Sequence, residues 1–95
     1  LKIKNSIEKF MYSHVYKLLK NGVEHRFELE FNYQDKTGFI DLIYFIKDKE
    51  CVIIDFKTGI KSQEKEEVYQ KQLKFYEEVL SDIGMSVVGK EILWV

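Results

Sequence analysis

Two apolar runs, each broken by a single aspartate, constrain this chain more than any other feature. Phe39 to Ile46 is almost continuously apolar apart from Asp41, and Cys51 to Phe56 is apolar apart from Asp55. Lys47-Asp48-Lys49-Glu50, between them, has the composition of a charged hairpin turn. Upstream, Arg26 to Tyr33 alternates, with Phe27, Leu29, Phe31 and Tyr33 on one face and Glu28, Glu30 and Asn32 on the other. Such a period of two marks a half-exposed strand. Gln34 to Gly38 reads as a polar turn. Three consecutive strands with short links predict an antiparallel meander.

Helical spacing flanks the meander. Ile7, Phe10, Met11, Val15, Leu18 and Leu19 recur at intervals of three and four, which predicts one amphipathic helix over Ser6–Leu19, stopped at Asn21-Gly22. Lys57 to Glu67 is polar, carries Gly59 and reads as a loop. Val68, Leu73, Phe75, Tyr76, Val79 and Leu80 predict a second helix over Glu67–Leu80, ended by Gly84, and Met85 to Val95 reads as a last strand. A helix between the third and fourth strands permits a parallel crossover, so the expected fold is α/β. It is a mixed sheet of about four strands flanked by two helices in the order αβββαβ.

Composition narrows the function. Ninety-five residues fit one small domain, and 45% hydrophobic with 33% charged residues is ordinary globular material. No apolar run approaches the roughly 18 residues that span a membrane. No secretory signal pattern opens the chain, and a cytoplasmic setting is expected. The single cysteine, Cys51, excludes an internal disulfide and any cysteine-only zinc or iron–sulfur site; inside an apolar run it is expected to be buried. A net charge of −1 is unfavourable for a free-standing DNA binder, which ordinarily carries excess Lys and Arg. The chain opens on Leu1 and closes on the apolar Ile92-Leu93-Trp94-Val95, and it is expected to be one piece of a larger protein.

Aspartate is disfavoured in strands, and a buried carboxylate without a partner is costly. A divalent cation between Asp41 and Asp55 would compensate, and hard oxygen ligands suit Mg²⁺ or Mn²⁺. Asp55 and Lys57 are two apart and face one side of a strand. A lysine beside metal-bound carboxylates can orient a water or stabilise charge on a phosphate. A plainer account stands beside this one: Asp55 capping the next loop, Lys57 solvated and Asp41 an edge residue.

Three blocks carry a resemblance. They are Gly38-Phe39-Ile40-Asp41-Leu42-Ile43, Val52-Ile53-Ile54-Asp55-Phe56-Lys57-Thr58-Gly59 and Tyr69-Gln70-Lys71-Gln72-Leu73-Lys74-Phe75-Tyr76. Together they resemble the RecB/AddA-type nuclease domains of the PD-(D/E)xK superfamily, whose pattern is G-x-x-D, then D-[YF]-K-[TS], then Y-x-x-Q-L-x-x-Y. The resemblance covers about Glu28 to Tyr76. It implies a restriction-endonuclease-like core and a Mg²⁺-dependent exonuclease, with Mn²⁺ substituting. The substrate would be DNA, single-stranded and delivered by a helicase in double-strand-break repair and recombination. Asp41 and Asp55 would be metal ligands, joined by the backbone carbonyl of Phe56, with Lys57 as the catalytic lysine. Gln72, Tyr76 and Tyr69 would line the site, and Glu28 resembles a family glutamate before the hairpin. For Tyr76 and Gln72, helix packing is the competing role.

One departure matters. The family carries a metal-binding histidine on a helix well upstream of that glutamate. His14 and His25 lie too close to Glu28 to match it; they read as a helix-face and a loop residue. The missing ligand is expected before Leu1, which would leave these 95 residues a weak metal binder and a poor nuclease. A non-enzymatic module, serving as scaffold or DNA-contact surface in a repair complex, is the competing reading. The absent histidine and near-neutral charge favour it, and the retained Asp41, Asp55 and Lys57 oppose it.

Overall fold

The computed structural model describes residues 2–95. It contains α1 (Lys2–Met11), α2 (His14–Lys20), β1 (His25–Tyr33), β2 (Lys36–Lys47), β3 (Glu50–Lys57), α3 (Gln63–Asp82) and β4 (Ser86–Trp94). The strands form one sheet in the order β1-β2-β3-β4. β1, β2 and β3 pair antiparallel, and β4 returns parallel to β3 after the α3 crossover. The expected mixed four-strand α/β sheet is therefore present. None of the described helices is long and apolar enough to cross a membrane.

Side-chain alternation along β3 feeds two cores. Cys51 and Ile53 pack with Leu73, Tyr76 and Leu80 of α3, together with Ile40 and Ile43. Val52 and Ile54 pack on the opposite face with Leu42 and with Val15 of α2, flanked by Phe10 of α1. A strand buried on both faces is apolar throughout, so the run from Cys51 to Ile54 shows no alternation of polarity. Cys51 is buried, as its surroundings require.

Several boundaries differ from the sequence reading. The predicted helix over Ser6–Leu19 is two helices, which makes three among the described residues. Ser13 interrupts it: its hydroxyl donates to the Phe10 carbonyl and accepts the Tyr16 amide at 3.2 Å, so the side chain caps α2 in place of a continuing helical turn. The turn predicted over Gln34–Gly38 shrinks to Gln34-Asp35, both with positive φ (48° and 64°), and β2 already begins at Lys36. Two left-handed residues are what a tight hairpin matched to strand twist demands. Gly38 lies inside β2 because a Cβ there would stand 2.7 Å from Cζ of Phe31, whose ring packs edge-on to Tyr76. His25 is the first residue of β1 rather than a loop residue, its ring hydrogen-bonded to the Val23 carbonyl. α3 starts four residues before the predicted Glu67, where Ser62 caps it by accepting the Lys65 amide.

The most informative departure is in β1 and β2 together. Strict alternation would put Ile40 and Ile43 on opposite faces, yet both join the core under α3. Leu29 and Phe31 pack against that same core, whereas Phe27 pairs with Leu42, which belongs to the other. Phe27 is thus removed from the face predicted for it. The pleat switches at Glu28, whose φ of 52° is left-handed, and at Asp41, which stands opposite it in register between the pairs Phe27↔Leu42 and Leu29↔Ile40.

Candidate active site

The switch in the pleat creates the site. Regular β2–β3 pairing stops at Leu42↔Ile54, one step short of bringing Asp41 opposite Asp55. There the Asp41 side chain takes over the ladder's role, its Oδ2 accepting the Phe56 amide at 2.9 Å. The strands splay, and the two carboxylates meet in the gap.

Asp55 is 3% exposed and is the sole buried charged residue among those described. It lies on the α3 face of β3, following Cys51 and Ile53. The Lys57 Nζ, on the same side, stands 3.0 Å from its Oδ2. That approach is off the line of a hydrogen bond, so Oδ2 is buried with no hydrogen-bond partner. Burial raises the Asp55 carboxyl to about 6; contact with Asp41 adds to the rise and Lys57 opposes it. Desolvation pulls the Lys57 ammonium down, but the neighbouring Asp55 outweighs it and the net shift is upward. Lys57 is therefore a fixed positive charge at neutral pH.

α3 closes the site from above. Tyr76 is buried, and its phenol accepts a hydrogen bond from the Gln72 amide at 2.8 Å, which leaves the phenolic proton for another acceptor. Its pKa is raised by burial first, then by the charges of Asp55 and Asp41. Tyr69, two turns earlier on α3, lies under the Lys57 ammonium at 4.3 Å from Nζ to ring centroid. Asp41, Asp55, Lys57, Phe56, Tyr69, Gln72 and Tyr76 are thus gathered in one place. Glu28 lies at the position where the β1–β2 register skips a pair, level with Asp41, and is exposed. Neither histidine joins them: His14 pairs with Glu91 at 3.0 Å and His25 bonds its own strand entrance.

The residues fit a divalent cation in part. An orphaned buried carboxylate oxygen beside a second carboxylate is a hard-oxygen donor set short of positive charge. Among the described residues, however, no group of three or more His, Cys, Asp or Glu side chains converges to hold a metal. Two carboxylates and backbone carbonyl oxygen are what this chain can offer.

One residue near the site escaped the sequence reading. Trp94 of β4 pairs with Lys57 and packs on Tyr69 with ring centroids 6.0 Å apart. Its neighbourhood depends on the parallel register of β4 on β3, which no local pattern encodes.

A family model described as the PD-(D/E)XK nuclease superfamily matches residues 4–94. The chain belongs to that superfamily. The match spans the whole sheet and α3, so the PD-(D/E)XK assignment extends well beyond the strand that carries Asp55 and Lys57. No curated protein and no solved structure matches the chain significantly.

Proposed function

We propose that this PD-(D/E)XK domain is a divalent-metal-dependent deoxyribonuclease of the RecB/AddA type, with Asp41 and Asp55 as metal ligands and Lys57 as the catalytic lysine. The observation that carries the reading is the buried, unpartnered Oδ2 of Asp55, set beside Asp41 and 3.0 Å from an ammonium. A buried ion pair set off hydrogen-bond geometry, beside a second carboxylate, adds little to stability, so a binding or catalytic task accounts for it better than a structural one.

A bound Mg²⁺ or Mn²⁺ would supply Lewis-acid polarisation of the phosphodiester and a more acidic attacking water. Asp41 and Asp55, with the Phe56 carbonyl, would hold it. Lys57 stays charged and stabilises the negative charge that develops on the phosphate. Gln72 donates to the hydroxyl of Tyr76, whose ring packs edge-on to Phe31 in the core under α3. The fuller assignment follows the sequence resemblance: an exonuclease on single-stranded DNA, delivered by an attached or partner helicase in cytoplasmic break repair and recombination.

Asp55→Ala and Lys57→Ala are each expected to lower Mg²⁺-dependent cleavage of single-stranded DNA by on the order of 10²-fold or more, with the fold retained. Wild-type rates in both variants would sink the assignment. The absence of a third converging ligand among the described residues favours a second reading, a nuclease-like scaffold that binds no metal. Calorimetric titration with Mn²⁺ separates the two, since a scaffold shows no Asp55-dependent heat.

A further inference from the structure

Lys57 leaves the end of β3 with a flexible four-carbon stem and a single oxygen contact, Asp55 Oδ2 at 3.0 Å and off the hydrogen-bond line. That contact alone does not fix an ammonium, which is a point charge with three rotatable donors. The other group against it is an aromatic face. Nζ stands 4.3 Å from the Tyr69 ring centroid, well inside cation–π range. The ring is itself held. Tyr69 lies on the inward face of α3, one turn before Gln72 and Leu73 and two before Tyr76. It also packs on Trp94, at 6.0 Å and 55° between ring planes. Trp94 is in turn the ladder partner of Lys57, and the Val95 amide donates to the Lys57 carbonyl at 2.8 Å. Backbone and side chain of Lys57 are thus tied to the same aromatic pair.

We propose that Tyr69 is a positioning residue for Lys57: its ring, itself packed on Trp94, holds the ammonium beside Asp55 and aimed at the gap between Asp41 and Asp55. The role belongs to the ring and not to the phenol. α3 then brackets the site with two tyrosines of different duty, Tyr76 beside the carboxylates and Tyr69 under the ammonium. The catalytic consequence rests on the nuclease reading above; the placement of the ammonium does not.

The experiment compares wild type, Tyr69→Phe and Tyr69→Leu with the Lys57 side chain followed by NMR, without metal or DNA. Ring current should move the Lys57 ε-methylene protons upfield in wild type and Tyr69→Phe, and the shift should vanish in Tyr69→Leu. With Mg²⁺ and single-stranded DNA, Tyr69→Leu should lose about three- to tenfold in kcat at unchanged KM, while Tyr69→Phe keeps wild-type kcat. An unaltered Lys57 shift in Tyr69→Leu overturns the proposal. So does a lost shift with unchanged kcat, or a kcat loss in Tyr69→Phe equal to that in Tyr69→Leu. If wild type shows no metal-dependent cleavage, the failure lies with the nuclease activity of these 95 residues and not with Tyr69, and the NMR comparison still decides whether the ring lies against the ammonium.

Discussion

At the scale of single residues, Asp55 ties structure to ionisation most closely. Its carboxyl is raised from 3.8 to about 6, chiefly by burial. Below the unfolded value, folded and unfolded chains are both protonated there and Asp55 is neutral towards folding. Between that value and about 6 the folded state keeps a proton that the unfolded chain has released, so stability falls as pH rises. Above about 6 the loss is complete. Without metal, Asp55→Asn should therefore be more stable than wild type at pH 7, by about 1–3 kcal/mol, with the gap closing below pH 4 or so. Urea denaturation at both pH values reads this directly, and a less stable variant at pH 7 would show that Lys57 already compensates the charge. Glu28 makes a separate residue-scale case. A left-handed φ of 52° in a strand strains any residue with a Cβ, and β-branched ones most. Glu28→Gly should gain up to about 1 kcal/mol and Glu28→Val should lose at least as much. Equal stability of the two would show that the backbone there relaxes freely.

At the scale of elements, what could be read in advance depended on how local its cause was. The meander was legible because apolar runs and charged turns report burial residue by residue, and Asp41 and Asp55 stood out as charges inside those runs. The Lys57 partner was legible because a spacing of two on a strand fixes the side. The helix break was not: Ile7, Phe10, Met11, Val15, Leu18 and Leu19 keep one apolar stripe across it, and Ser13 in mid-pattern is as compatible with an exposed helical position as with a cap. The pleat switch was hidden for a similar reason, since Phe27, Leu29 and Phe31 alternate faultlessly in sequence while Glu28 reverses their faces in three dimensions. Trp94 and Tyr69 meet only through β3–β4 register. Ser13 offers a test at this scale. Ser13→Ala removes the α2 cap and should cost about 1 kcal/mol. α2 supplies Val15, fully buried against Leu42, Val52 and Ile54, so the loss should appear as global destabilisation and not as local fraying. Hydrogen exchange confined to α1 and α2 would contradict that coupling.

At the scale of the whole molecule, the site sits where two hydrophobic cores meet and where the antiparallel ladder opens. The fold therefore spends stability on the same feature that the proposed chemistry needs. Any ligand that neutralises the Asp41–Asp55 pair returns part of it, and the return is measurable as melting temperature. A cation bound only to the native state stabilises by RT ln(1 + [L]/Kd). With protein ligands limited to two carboxylates and a carbonyl, a Kd near the millimolar range is expected. About 10 mM Mn²⁺ would then add roughly 1.4 kcal/mol, and a domain of this size should melt about 5–10 °C higher. Three controls separate site binding from general salt effects. NaCl at equal ionic strength should not reproduce the shift, because exposed pairs such as Lys90–Glu77 are screened by any salt. Asp55→Asn should not show it, having lost the ligand while keeping the fold. Lowering the pH from 7.5 to about 5 should cut it to about a third, since protons then compete for a carboxyl that titrates at about 6. If neither Mg²⁺ nor Mn²⁺ raises the melting temperature of the wild-type chain at pH 7.5, the two aspartates do not form a cation site in this domain, and the scaffold reading takes its place.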